Sequence, residues 1–378
     1  MFNTKYVSDK GIENLQLYKY SGVENSLCAR LFMNDFWEFV VSKVPTWIAP
    51  NVLTLSGLIF ISIAGILSMI YSPTYTEVIP SWVIFSYVIL IFLYQTADNI
   101  DGKQARRTKS GSPLGELFDH GVDAIVMGVV AMMISSVIHG GGLVAIVGSV
   151  LLIAAYWCSH WEEYHIGTLI LGAITGPTEL QMYIMAGFIF CGFYGTEFFA
   201  HELFGYKISF IAHTVIAIGS IGTVCLNALS IAKLVINGKS VMKITSVPQA
   251  MGQAFCHVFF LASAIAWALC TRETAEKYPA WYLFAITMAS AYMSQRLITQ
   301  RICKEHIDQI FVASLPMVAA AVNGACLNRF GVGISSEVTL VAVVVFSTLL
   351  EANFAVSIIR QMSAALNIHP FKVKKEHL

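Results

Sequence analysis

The stretch QTADNIDGKQARRTKSGSPLGELFDHGVDAI, residues 95–125, decides how this chain is read. It fits the pattern D-x2-DG-x2-AR-x8-G-x3-D-x3-D through Asp98, Asp101, Gly102, Ala105, Arg106, Gly115, Asp119 and Asp123. With each fixed position met at roughly one chance in twenty, such a match arises by accident about once in 10^10 windows. At about 100° per residue, Asp98, Asp101, Gly102 and Ala105 share one helical stripe, acidic with small residues interleaved. Gly115, Asp119 and Asp123 are spaced by four and share a second face, after a turn around Gly111 to Pro113. The pattern predicts two acidic helix faces set opposite each other.

The chain around this segment is apolar. Of 378 residues, 56% are hydrophobic and 12% charged, against roughly 25% charged in a soluble domain. Runs long enough to cross about 30 Å of hydrocarbon begin near Val52, Trp82, Val122, Leu143, Leu180, Ile208, Ala254, Ala280, Ile307 and Val338. The expected fold is an all-α polytopic membrane protein of about ten transmembrane helices. Threading these spans from a cytosolic start puts 19 of the 23 basic residues on the cytosolic side, with Lys207, Arg272, Lys277 and Arg329 opposite. That asymmetry supports an even span count and puts both termini and the Asp98–Asp123 segment in the cytosol.

Between Leu27 and Val44, the apolar residues Leu31, Phe32, Phe36, Phe39 and Val40 recur at helical spacing beside Arg30, Asn34, Asp35 and Glu38. This predicts an amphipathic helix lying in the cytosolic interface. The chain divides into an interfacial segment (1–50), one transmembrane catalytic domain (51–360) and a cytosolic tail (361–378). The start has no short uninterrupted apolar core of the signal-peptide kind, and no internal repeat is visible. Zero formal net charge argues against nucleic-acid binding. The eight cysteines are scattered without metal-ligand spacing and read as reduced packing residues.

Four carboxylates converging at a membrane boundary repel one another and resist desolvation unless protons or cations neutralise them. Oxygen-only ligation suits Mg²⁺ or Mn²⁺, singly or as a two-metal site that leaves positions for substrate phosphate. Gly102 and Ala105 allow a nucleotide close to the helix backbone, and Arg106 offers a rigid fork of donors for phosphate oxygens. The segment thus reads as a diphosphate site. The competing structural reading is a surface salt-bridge network with Lys103, Arg106, Arg107 and Lys109.

Other polar residues have two readings each. Asn51 and Thr54, at the cytosolic end of the first span, are a helix cap or ligands. Glu179, with His160, Glu162, Glu163 and His165, either recognises an alkylammonium group, assists proton transfer or simply caps helices. Tyr156, Trp157, Trp161 and Tyr164 either hold a cation on their faces or form an interfacial aromatic belt. Glu351 sits in the last apolar run, and a buried hydrogen-bonding role is the expectation.

At every defined position the 95–125 segment resembles the CDP-alcohol phosphotransferase family. By that resemblance Asp98, Asp101, Asp119 and Asp123 are the metal-binding aspartates, Asp123 is also the base, and Gly102, Ala105, Arg106 and Gly115 line the nucleotide. YKYSGVENS (18–26), PTWIAPNVLTLSG (45–57), GPTE (176–179) and HPFKVKK (369–375) are similar to the eukaryotic choline/ethanolaminephosphotransferase branch, plant aminoalcohol phosphotransferases above all. The resemblance implies ten spans, residence in the endoplasmic reticulum with the Golgi as a second address, and a homodimer among membrane lipids. It also implies transfer of phosphocholine or phosphoethanolamine from CDP-choline or CDP-ethanolamine to diacylglycerol, the last step of the Kennedy pathway, with release of CMP.

The base has a rival. An aspartate starts near a pKa of about 3.9, and metal ligation lowers it, whereas histidine starts near about 6.5, so His120 beside Asp119 competes with Asp123. Two alternatives to the whole reading are a phosphatidyltransferase using CDP-diacylglycerol, which shares the signature, and a transporter. A transporter's charges belong near mid-membrane on interrupted helices, and here they cluster at one face.

Overall fold

A computed structural model describes residues 3–18, 22–24, 26–171, 176–242, 244–309 and 311–373. Of the basic residues sorted above, Lys19, Lys243, Lys374 and Lys375 lie outside the described residues, as do parts of the YKYSGVENS and HPFKVKK stretches. The described residues are all-α apart from two short strand pairs. Its helices are α1 (Asp9–Leu15), α2 (Asn34–Lys43), α3 (Pro50–Tyr71), α4 (Ser81–Arg107), α5 (Pro113–Ile138), α6 (Gly142–Ile166) and α7 (Pro177–Tyr194). They continue with α8 (Ile208–Ile236), α9 (Val247–Gln253), α10 (Phe255–Cys270), α11 (Arg272–Lys277), α12 (Pro279–Ile302), α13 (Leu315–Phe330) and α14 (Ser336–Leu366).

Six of these, α3, α4, α5, α6, α8 and α14, are long and apolar enough to cross a membrane, and α9 with α10 makes a seventh if that pair, bent by 42°, is one span. On α3 the side chains of Ile59, Ile63, Ile66 and Ile70 form an exposed apolar stripe, and Val338, Val341 and Val345 do the same on α14. Such stripes are what lipid contact requires of the outer face of a bundle.

The ten apolar runs each overlap a helix, but among the described residues only six or seven spans, not ten, meet the length and hydropathy needed, and two runs are shifted. The run near Ile307 becomes helical only at Leu315, because Pro316 tolerates only a first helical turn. The short run from Ala280 extends to Ile302, through Gln295, Arg296, Thr299 and Gln300, all buried inside the protein.

α5 is the most enclosed of the candidate spans. Its Leu114, Leu117 and Met132 join one apolar cluster, with α6, α10, α12 and α14. Val122, Val126, Val129 and Met133 join a second, with α3, α4 and α7. Small residues let the backbones approach: a Cβ on Gly65 of α3 would stand 2.9 Å from Val129, and one on Gly128 of α5 would overlap Thr287 of α12.

The helix expected between Leu27 and Val44 begins as a wide turn over Ala29–Met33 that continues into α2. Met33, Trp37 and Val41 pack inward against Ile100 of α4, while Leu31, Phe32 and Phe39 stay exposed. At the other end of the chain, Phe371 meets Phe118 of α5 edge to face at 5.7 Å.

Candidate active site

Both halves of the signature come from helix ends that meet. α4 carries Asp98, Asp101, Gly102, Ala105 and Arg106 in its last turns. The chain then reverses through Lys109, whose φ is +50°. α5 begins where it does because the Ser112 side chain, at the N-cap, accepts the Gly115 amide at 3.0 Å, and Pro113 sits where no N–H is needed. Asp119 and Asp123 thereby meet Asp98 of α4, and Gly115 faces Asn51 of α3.

The ligand oxygens of Asp98, Asp119 and Asp123 lie within 4.8 Å of one another, and all three residues are half-buried. Asp101, three residues on from Asp98, is buried and accepts a hydrogen bond from Thr54 of α3. Asp123 accepts another from the Tyr94 hydroxyl of α4. Asp119 Oδ1 is buried with no hydrogen-bond partner. Carboxylates this close repel unless positive charge stands among them, and an oxygen cage with an unmet buried acceptor fits a hard divalent cation. The donor set is one that could hold a divalent cation.

Of the residues expected at the nucleotide, Gly102 neighbours Arg106 on α4, and Gly115 of α5 neighbours Asn51 of α3. Arg106 is exposed, with Nη1 3.6 Å from where a Gly102 Cβ would stand. A Cβ on Gly115 would face Ser112 Oγ at 3.5 Å and Asn51 Oδ1 at 3.8 Å, so Asn51 opens onto the same place from α3. Ala49 occupies the N-cap of α3, so Asn51 is not its cap. Thr54 serves Asp101.

Lys103 lies 2.7 Å from Glu38, and this hydrogen bond holds the Glu38 carboxyl below the usual carboxylate range. Arg107 donates to the carbonyls of Val41 and Val44, at 2.7 and 2.6 Å, and Gln104 to those of Pro45 and Ile48, both at 3.0 Å. Lys103 and Arg107 therefore tie α4 to α2 and the α2–α3 link, which is not the salt-bridge network with the aspartates considered above.

A second buried group backs the first. His120 Nε2 is 4.0 Å from Asp119 Oδ2, and its ring centroid is 5.3 Å from that of His160. His160 Nδ1 is 2.9 Å from Glu163 Oε2. Tyr156 donates to the His120 carbonyl at 2.5 Å. One ligand atom each from His120, His160 and Glu163 lies within 4.8 Å of the others.

Glu179 Oε1 accepts the Ser26 hydroxyl at 2.6 Å and the Cys28 amide at 3.0 Å, tying α7 to the N-terminal segment, and its Oε2 is buried without a hydrogen-bond partner. His165 is held between Ser240 and Gln253. Trp157, Trp161 and Tyr164 are buried in the core, Trp157 stacked on His257 at 4.2 Å. The interfacial belt expected for them is thus corrected to interior packing. Glu351 accepts from Gln295 at 2.7 Å, a buried hydrogen-bonding role. None of the eight cysteines, all among the described residues, is in a disulfide.

Sequence reasoning missed Tyr94, Glu116 and Arg301. Tyr94 was detectable as the residue one helical turn before Asp98. Arg301, which bridges Glu116 and Glu163, comes from a distant helix and left no local signal.

A family model described as CDP-alcohol phosphatidyltransferase matches residues 47–216. An uncharacterized CDP-alcohol phosphatidyltransferase class-I family protein 2 of Dictyostelium discoideum is 34% identical, covering 84% of this chain and 76% of its own. Choline/ethanolaminephosphotransferase 1 of Arabidopsis thaliana is 32% identical over 98% of this chain and 99% of its own. Choline/ethanolaminephosphotransferase 1 of Saccharomyces cerevisiae is 38% identical over 52% of this chain and 50% of its own.

Proposed function

The chain belongs to the CDP-alcohol phosphatidyltransferase family, and from that premise we propose that it makes phosphatidylcholine or phosphatidylethanolamine. The donor is CDP-choline or CDP-ethanolamine, the acceptor is the free hydroxyl of diacylglycerol, and CMP leaves. The observation that carries this reading is the convergence of Asp98, Asp119 and Asp123 beside Gly102 and Arg106. The head groups come from the names of the plant and yeast relatives.

Asp98, Asp101, Asp119 and Asp123 hold the divalent ions, Mg²⁺ or Mn²⁺ and two in number. When bound, these ions spread the diphosphate charge and stabilise CMP as a leaving group. Arg106 donates to the phosphate oxygens, and Gly102 and Ala105 leave the α4 backbone open to the nucleotide. Asn51 and Gly115 close the opposite side. Asp123 takes the proton of the lipid hydroxyl as its oxygen attacks the phosphorus bearing the amino alcohol, with Tyr94 fixing the carboxylate. Positioning and electrostatics supply most of the acceleration.

One observation favours a second reading of the base. His120 faces Asp119 and is backed by the His160–Glu163 pair, an arrangement suited to orienting an imidazole for proton transfer.

The proposal includes ten spans, with α7, α10, α12 and α13 completing the six helices of sufficient length and hydropathy. The segment 1–50 lies at the cytosolic interface, 51–360 form one catalytic unit and 361–378 a tail. A cytosol-facing site rests on the charge asymmetry, and residence in the endoplasmic reticulum and a homodimer rest on the family resemblance. Purified protein given CDP-choline, CDP-ethanolamine and CDP-diacylglycerol in parallel tests the function. Phospholipid and CMP from either of the first two support it, and turnover confined to CDP-diacylglycerol rejects it.

A further inference from the structure

α12 runs antiparallel along α5 and touches it at three levels. Thr287 packs on Gly128. Gln295 Nε2 donates to the Gly121 carbonyl at 3.0 Å and to Glu351 at 2.7 Å. Arg301 Nη2 pairs with Glu116 and lies 3.4 Å from Glu163 of α6. The third level is the one nearest the chemistry. Glu116 stands one helical turn before Asp119 and His120, and Glu163 holds His160 against the His120 ring.

Glu116 and Glu163 are both buried. Two carboxylates out of water and next to each other repel, and removing a shared cation leaves both uncompensated. One guanidinium reaching both therefore fixes the first turns of α5 against the end of α6. Its carrier is the polar second half of α12, which contributes no residue to the signature.

We propose that Arg301 is a positioning residue of the active site. It clamps Glu116 and Glu163, and so holds the face of α5 that carries Asp119 and His120 in register with His160. Its ion pairs go to Glu116 and Glu163 rather than to Asp98, Asp119 or Asp123. The consequence for catalysis rests on the transferase reading, whereas the clamp itself does not.

The test compares wild-type protein with Arg301→Met and Glu116→Gln in lipid nanodiscs. It reads amide hydrogen exchange over 113–123 and 156–166 together with kcat and KM for CDP-choline and CDP-ethanolamine. The expected result is faster exchange in both segments in Arg301→Met, unchanged protection in α3 and α8, and kcat lowered by up to about 100-fold with KM within about threefold. Glu116→Gln, which keeps an acceptor for Arg301, falls between wild type and Arg301→Met and covers the case in which Arg301→Met does not fold. Unchanged exchange in both variants overturns the clamp whatever the activity. Faster exchange with unchanged kcat overturns its catalytic consequence. Wild-type protein without transferase activity sinks the functional reading alone, and the exchange data still decide the clamp.

Discussion

The Tyr94 hydroxyl of α4 donates to the Asp123 carboxylate of α5, so the two helices that supply the aspartates are joined at the site by a side chain outside the signature. A phenol with its proton on a carboxylate leaves the other lone pairs of that carboxylate facing the cage. Tyr94→Phe removes the donor at almost no change in volume. The expected outcome is a kcat lowered about tenfold, the size of one charge-assisted hydrogen bond of about 1.5 kcal/mol, with unaltered chromatographic behaviour in detergent. Wild-type kcat in the folded variant removes Tyr94 from the site.

His120 and Asp123 make different demands on the metal. If Asp123 is both ligand and base, Asp123→Asn lowers turnover and raises the metal concentration needed for half-maximal rate, while His120→Gln leaves the metal requirement alone. General bases contribute about 100-fold to 10,000-fold, well above a packing effect. A His120→Gln enzyme that loses that much turnover at unchanged metal dependence transfers the role to His120 and its His160–Glu163 backing.

Gly102 lies under Arg106 with room for one methyl group, since an added Cβ meets Nη1 only at 3.6 Å. Gly102→Ala is expected to be mild. Gly102→Leu fills the space kept for the donor and raises its KM by about 10-fold to 200-fold, the range that misfitting apolar groups produce in a shaped pocket. Initial rates against donor concentration check both variants, and equal KM values for the two place the nucleotide away from α4.

The acidic stripes were legible because their spacing maps onto one helix face each, and the structure sets those faces together. Membrane character was equally plain, since apolar runs such as Val52 onward are read directly from composition. What stayed hidden depends on contacts between distant helices. Arg301 reads locally as a cytosolic loop charge, yet it is drawn into a buried pair by α12 lying along α5. Trp157 and Trp161 read as an interfacial belt because periodicity cannot tell a lipid-facing aromatic from one covered by another helix. Glu179 belongs to GPTE, and the hydrogen bonds that its Oε1 accepts from Ser26 and Cys28 are a tertiary partnership invisible in that motif. The polar second half of α12 broke the apolar pattern that span counting relies on.

Orientation has its own test. A protease site inserted after Ser110, in the turn between α4 and α5, is expected to be cut from the cytosolic side of sealed microsomes. One placed near Thr76, between α3 and α4, is expected to be protected. The reverse pattern inverts the topology and puts the site out of reach of water-soluble CDP donors.

Of the four aspartates proposed to make a divalent-metal centre for CDP-alcohol transfer, Asp119 reports on that role most directly. Its replacement removes a ligand but little buried apolar area, so the fold should survive. The measurement is CMP release from CDP-choline and CDP-ethanolamine with diacylglycerol, across a Mg²⁺ and Mn²⁺ titration, for wild type and Asp119→Ala checked for intact folding. Wild-type turnover is expected to vanish on chelation and return with either metal, and Asp119→Ala to show no measurable turnover at any metal concentration. Turnover by a folded Asp119→Ala protein at a rate near wild type, or a wild-type rate that persists under chelation, contradicts that role.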